Sequence, residues 1–166
     1  MGAGVITFTV FGVAAPKGSH RARIIRTKTG AMLPIVTESN RNVSSWQQLI
    51  AAGAGAALSA RADTWQVLTE GVRLTVVFFL PRPKKYQRRG VVVAHLTKPD
   101  LSKLLRAVED ALTSIIWRDD CQVIDVVAMK RYAAVDEAPR VVIRVEPAAA
   151  SVTMPEPRDF PLFEAV

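Results

Sequence analysis

The chain has 166 residues, 49% of them hydrophobic, with 22 Lys and Arg against 15 Asp and Glu for a formal net charge of +7. That composition supports one domain with a real core. The apolar runs are too short or too interrupted to span a bilayer, no basic leader is seen, and a single cysteine suits a reducing cytoplasm. A pI near 10.1 calls for an acidic partner, and in the absence of a long basic amphipathic helix nucleic acid is expected rather than a membrane surface.

In chain order, Val5 to Val13 predicts a strand, with Ile6, Phe8 and Val10 on one side and Val5, Thr7 and Thr9 on the other. Pro16 ends it. Residues Arg21 to Thr37 predict a hairpin turning at Lys28-Thr29-Gly30. The alanine-rich stretch Trp46 to Ala60 predicts a helix capped near Ser44 or Ser45. Gly53 and Gly55 weaken it by about 1 kcal/mol each relative to alanine, so it needs tertiary support. Val72 to Leu80 is a strongly apolar, β-branched and aromatic run, consistent with a buried central strand.

The polar, proline-containing segment Pro81 to Gly90 predicts a loop. Asp100 to Ile116 is the strongest helix: Leu101, Leu104, Leu105, Val108, Leu112 and Ile115 share one face, and Lys103, Arg106 and Asp110 line the other. Gln122 to Met129 and Pro139 to Val145 predict the last two strands. The order β, hairpin, α, β, α, β, β predicts an α/β (α+β-like) single domain over residues 1–146, a mixed sheet with helices packed on it. Residues 147–166, rich in Ala, Pro and acids, are expected to form a flexible tail.

Acids stand among bases in the run Lys98-Pro99-Asp100-Leu101-Ser102-Lys103-Leu104-Leu105-Arg106, which continues to Asp110-Ala111-Leu112 and then Trp117-Arg118-Asp119-Asp120-Cys121-Gln122-Val123. Asp100 is placed to cap its helix, and Asp119-Asp120 suits a turn. Gathered in so basic a chain, the same acids suggest a metal-assisted site acting on a polyanion. Lys17, His20, Arg21, Arg23, Arg26 and Lys28 concentrate charge in the hairpin region, and Lys84, Lys85, Arg88 and Arg89 in the later loop. With Lys98, Lys103 and Arg106 they supply several phosphate contacts, whose number sets the salt dependence of binding. Tyr86 is suited to packing or to stacking on an unpaired base. His20 and His95 lack partners at zinc-ligand spacing. No Walker loop, dinucleotide-binding glycine fingerprint or nucleophile elbow is present. Trp46, Trp65 and Trp117 are expected as core anchors.

The pattern K-P-D-x-D-x-L-x-[KR]-x-x-x-D-A-L followed by W/Y-x-D-D-x-Q-V resembles the signature of the RusA family of Holliday-junction resolvases. The likeness is dense over 94–125 and looser across 5–146, where Pro16-Lys17-Gly18-Ser19, Glu38-Ser39-Asn40, Val43 and Trp46 join it. The resemblance implies a homodimeric endodeoxyribonuclease that makes paired nicks in four-way DNA junctions with Mg²⁺ or Mn²⁺. By motif position it places Asp100 and Asp120 as metal ligands with Asp119 assisting, Arg106 and Lys103 at the scissile phosphate, and Lys17, Arg21, Arg23, Lys84, Lys85 and Lys98 on DNA. The chain departs from the family at Ser102, where a second Asp is usual. A metal-bound water held by the hydroxyl, substitution by Asp119, Asp125 or Glu38, or a branched-DNA-binding module without turnover are the alternatives. Finally, Phe160-Pro161-Leu162-Phe163 in the tail either folds back on the protein or resembles short peptides that dock on a sliding clamp.

Overall fold

The computed structural model describes residues 4–18, 20–26, 30, 32–38, 40–61, 65–87 and 93–148. Alternation of apolar and polar residues builds its main sheet. Strand β1 (Ile6–Phe11) buries Ile6, Phe8 and Val10 and exposes Thr7, Thr9 and Phe11. Further along the chain, β4 (Val72–Leu80) buries every second residue from Val72 to Leu80, and β6 (Arg140–Pro147) buries Val141, Ile143 and Val145. With β5 (Val123–Tyr132) they form a four-stranded sheet ordered β1-β6-β4-β5. The β1/β6 and β6/β4 pairs are antiparallel; β4/β5 is parallel. A parallel pair needs a long crossover, and α2 (Leu101–Leu112) lies in that connection. Together with α1 (Val43–Ser59) it seals one face of the sheet: Trp46, Ile50 and Ala54 of α1, and Leu104, Ala107, Val108 and Leu112 of α2, belong to the same core as the strands. A separate antiparallel ribbon pairs β2 (His20–Arg26) with β3 (Met32–Glu38), as the hairpin pattern predicts.

Three expectations are corrected by local chemistry. The first helix starts at Val43 behind Asn42, not at Ser44 or Ser45. The side chain of Asn40 reaches both neighbours: its Nδ2 donates to the Pro16 carbonyl at 2.7 Å and its Oδ1 accepts from the Asn42 amide at 3.1 Å, fixing the turn that launches α1. Gly53 is more than a weak point in α1. A Cβ there would lie 2.8 Å from Val10 Cγ2 and 3.6 Å from Phe8 Cδ2, so glycine lets α1 settle directly on β1.

The second helix ends at Leu112 rather than continuing to Ile116. Ser114 turns into the left-handed region with φ 68°, and both Ile115 and Ile116 donate back to the Leu112 carbonyl. The apolar pattern runs on because the turn is itself core: Ile116 and Trp117 are fully buried, with Trp117 Nε1 donating to Thr113 Oγ1 at 3.2 Å. Last, β4 is central in the sheet but sealed only on the helix side. Its Val77 and Phe79 lie half-buried on the opposite, open face, where the guanidiniums of Arg140 and Arg131 sit 4.1 and 5.3 Å from the Phe79 ring centre. Arg88, Arg89, Lys28 and the tail 149–166, with its candidate clamp peptide, lie outside the described residues.

Candidate functional site

Asp100 occupies the N-cap of α2, where an Asp side chain normally accepts a hydrogen bond from the first turn. It makes no such bond. Its carboxylate points instead toward Lys103, whose ammonium is 3.5 Å away, and both side chains are about half exposed. The helix end adds its own partial positive charge. The strand beneath fixes the approach to this carboxylate. Lys130 of β5 donates to the carbonyls of Thr97 and Pro99, both at 2.8 Å, which pins the loop that includes the cis Lys98-Pro99 peptide. Lys98, Ser102, Lys103 and Arg106, which stand near Asp100 in the chain, are all exposed. Beside the same loop, His95 is buried against the Tyr132 ring, centres 4.4 Å apart, with Nδ1 unpartnered. Burial lowers its pKa, and the Lys130 charge acts in the same direction.

A second acidic group gathers behind the other end of α2. Asp119 caps a 3₁₀ turn over Asp120–Gln122. Its Oδ1 accepts from the Cys121 amide at 3.0 Å, and that backbone bond is the main cause of its lowered pKa. Gln122 locks the same turn. Its Oε1 accepts from the amides of Arg118 and Asp119, at 3.0 and 2.9 Å, and its Nε2 donates to the carbonyls of Leu68 and Glu70, at 3.0 and 2.9 Å. Asp120 stays exposed. Its charge, after burial, is the largest influence raising the pKa of Glu109 on α2.

The two groups do not meet within one chain. The 12-residue helix between them is about 18 Å long. Among the described residues no three His, Cys, Asp or Glu side chains come together as metal ligands do. Mg²⁺ takes near-octahedral oxygen coordination, and the described acids form no such cluster within a single chain. Asp125 is no substitute at Asp100's end: it lies on the open face, with its Oδ2 2.5 Å from Arg73 Nε. Glu38 lies in β3, and its side chain is outside what is described.

The expected DNA contacts divide. Lys98 precedes α2 and Lys103 and Arg106 lie exposed on its first half, and Lys84 and Lys85 are exposed on a 3₁₀ turn over 84–86. Tyr86 packs against Tyr132, ring centres 5.8 Å apart, with the Lys85 ammonium 4.7 Å from its ring. Arg21 and Arg23 lie on β2. Lys17 binds the core side of α2 instead: its ammonium pairs with Asp110, and its amide donates to the Lys103 carbonyl at 2.9 Å. Gln47 of α1 donates to the same Asp110 oxygen at 3.2 Å. Asp110 thus ties α2 to α1 and to the chain after β1. Sequence reading missed Lys130, Glu109 and the four-bonded Gln122. Only Gln122 stood in the quoted motif, and the contacts of the other two arise from tertiary neighbours.

Comparison with known proteins places this arrangement. The profile of the family described as endodeoxyribonuclease RusA matches residues 14–146. The chain is also 28% identical over 153 residues to the uncharacterized protein YqaN of Bacillus subtilis (strain 168), covering 87% of this chain and 98% of the relative.

Proposed function

The chain belongs to the RusA endodeoxyribonuclease family, and from that premise we propose that it is a structure-selective nuclease that resolves four-way DNA junctions by paired nicks. The observation that carries the reading is Asp100: a carboxylate at a helix N-cap that makes no side-chain cap bond and faces Lys103, with Lys98 and Arg106 exposed before it and further along the same helix. A helix start with adjacent cations suits a phosphodiester, and a carboxylate facing the same space suits the acidic requirement of hydrolysis. In that hydrolysis a water oxygen bonds to phosphorus while the bond to one strand oxygen breaks. This leaves a phosphate monoester and a hydroxyl, and Lys103 and Arg106 hold the charge of the attacked phosphate. Dependence on Mg²⁺ or Mn²⁺, and action as a homodimer, belong to the same proposal.

Incubation of the purified protein with a mobile four-way junction and either ion tests it. Symmetric nicks in opposing strands, with intact duplex controls, support the reading; no nicking with either ion refutes it. A second reading has its own support. Ser102 leaves Asp100 without a neighbouring acid, and no ligand cluster forms at that end among the described residues. Under it the protein binds branched DNA without cutting it. Ser102→Asp separates the two: the change creates cleavage if the protein is a binding module and alters an existing activity only modestly if it is an enzyme.

A further inference from the structure

We propose that the open face of the sheet is a stacking platform for unpaired bases of a DNA strand, built on the row Phe11, Arg140, Phe79 and Arg131. The platform stands on the sheet alone; its use beside a cut strand rests on the nuclease reading.

Both helices pack on one face of the sheet. On the other face the register lays four side chains side by side, one from each strand. Phe11 of β1 lies opposite Arg140 of β6, Arg140 opposite Phe79 of β4, and Phe79 opposite Arg131 of β5. Rings and guanidiniums therefore alternate along one line. The guanidiniums of Arg140 and Arg131 flank the Phe79 ring, and Phe11, at the end of the line, is 64% exposed. A single exposed ring is ordinary; a ring in register with two guanidiniums and a second ring is a built surface. The next row is Thr9, Val142, Val77 and Met129, so the floor beside the line is largely apolar.

Chemistry selects the occupant. Every base has a π-face that stacks on aromatic rings and guanidinium planes, and the backbone that joins bases is anionic. A four-stranded sheet with aromatics on its surface is one established way to hold unpaired bases. Strands are about 4.8 Å apart, so Phe11 and Phe79 stand about 10 Å from each other, with room for a base at each and Arg140 between them. Charge is graded along the face in the same sense. At the far end Arg73 pairs with Asp125 and Arg144 with Glu146. At the near end Arg140 pairs with Glu137, but Arg131 has no ion pair among the described residues. Exposed Lys84 and Lys85 follow just beyond the end of β4.

This is also the end of the sheet that holds Asp100. Lys130, next to Arg131 on β5 but turned to the other face, secures the loop before Asp100. Among the described residues β5 is the outermost strand, so DNA at Asp100 reaches the row by crossing one strand edge. Bases that open at a branch point can stack there, whereas those of an intact duplex are hidden. The row thus favours branched DNA over duplex.

Fluorescence anisotropy with the full-length protein in EDTA tests the platform without cleavage. The probes are an oligothymidylate strand and a strand of equal length that is abasic throughout. Wild type is expected to bind the thymidylate strand at least about fivefold more tightly than the abasic one. Phe11→Ala and Arg131→Ala should each lose about fivefold or more on the thymidylate strand, as loss of one stacked base does. Phe11→Trp, which keeps a ring in place, should retain binding, and this separates lost stacking from a disturbed fold. Arg131→Lys keeps the charge without the plane, so it should keep the wild-type salt dependence but not the affinity. Equal affinity for the two strands, or wild-type thymidylate binding by both alanine variants, would overturn the proposal. So would a Phe11→Ala chain that sediments as a smaller species with thymidylate binding intact, which would assign the face to a second copy. A wild type that nicks no junction, yet binds thymidylate through Phe11 and Arg131, would refute the nuclease reading and leave the platform standing. Junction nicking by wild type, with thymidylate binding unaltered in both alanine variants, would do the reverse.

Discussion

Gln122 offers the sharpest test of how the Asp119-Asp120 turn is held. One side chain makes four hydrogen bonds, two as acceptor and two as donor, joining the turn to the segment at Leu68 and Glu70. Most of them lie near solvent, so each contributes at the low end of the usual range, about 0.5–1 kcal/mol. Gln122→Ala should therefore cost about 2–4 kcal/mol, a fall of roughly 4–16 °C in Tm for a chain of this size. Gln122→Glu should be worse at neutral pH. It keeps the two acceptor contacts but turns the Nε2 donor into an anion facing two carbonyls, next to Asp119 and Asp120. In the fold this new carboxyl holds its proton more tightly than in the unfolded chain. The extra penalty is therefore absent below the unfolded pKa and develops as pH rises through the folded one. Urea unfolding followed by tryptophan fluorescence gives the ranking. A Gln122→Glu midpoint equal to wild type at neutral pH, or a Gln122→Ala loss below about 0.5 kcal/mol, would refute the bonding scheme.

Other substitutions separate chemistry from binding. Asp100→Asn and Asp120→Asn should each abolish junction nicking while leaving junction affinity, measured by gel shift, nearly unchanged or slightly higher. Lys103→Ala and Arg106→Ala should each weaken junction binding and reduce the slope of log affinity against log salt by about 0.9, as the loss of one phosphate contact does. Burial keeps the His95 pKa below the usual histidine range, so the unfolded chain takes up this proton first and the stability is full above that range and lost as pH falls. Tm should thus drop between neutral pH and about pH 5.5, and the drop should shrink in His95→Phe.

The sequence disclosed most of the elements because their periodicities were clean. Val72–Leu80 was read to its ends, since a run rich in β-branched, aromatic and other apolar residues between Gly71 and Pro81 has little other reading. Neighbour order was not legible: nothing local to Arg140–Pro147 states that it inserts between β1 and β4, a choice made by the whole apolar face. The end of α2 was overrun because Ile115 and Ile116 keep the helical rhythm while Ser114 breaks the backbone. At the site, the motif marked Asp100 and the Asp119-Asp120 turn, whose capping contacts are made by adjacent residues. It gave no sign that Asp110 turns inward to Lys17 and Gln47, or that Lys130 secures the loop before Asp100. Those partners are 31 to 93 positions away in the chain.

The strand order also bears on how the protein is made. Synthesis produces β1 first and β6 last, yet Ile6 pairs with Val145, and among the described residues β1 has no other strand beside it in the sheet. While the chain is being translated, the row Ile6, Phe8 and Val10 has none of the described strands to join until residues 140–147 emerge. Closing so long a loop is entropically the dearest contact in the fold and, by its non-local nature, a slow one. The helix that bears Asp100 and the strand that follows it are complete before that closure. On the ribosome, the acidic and basic apparatus therefore precedes the finished sheet that will support it.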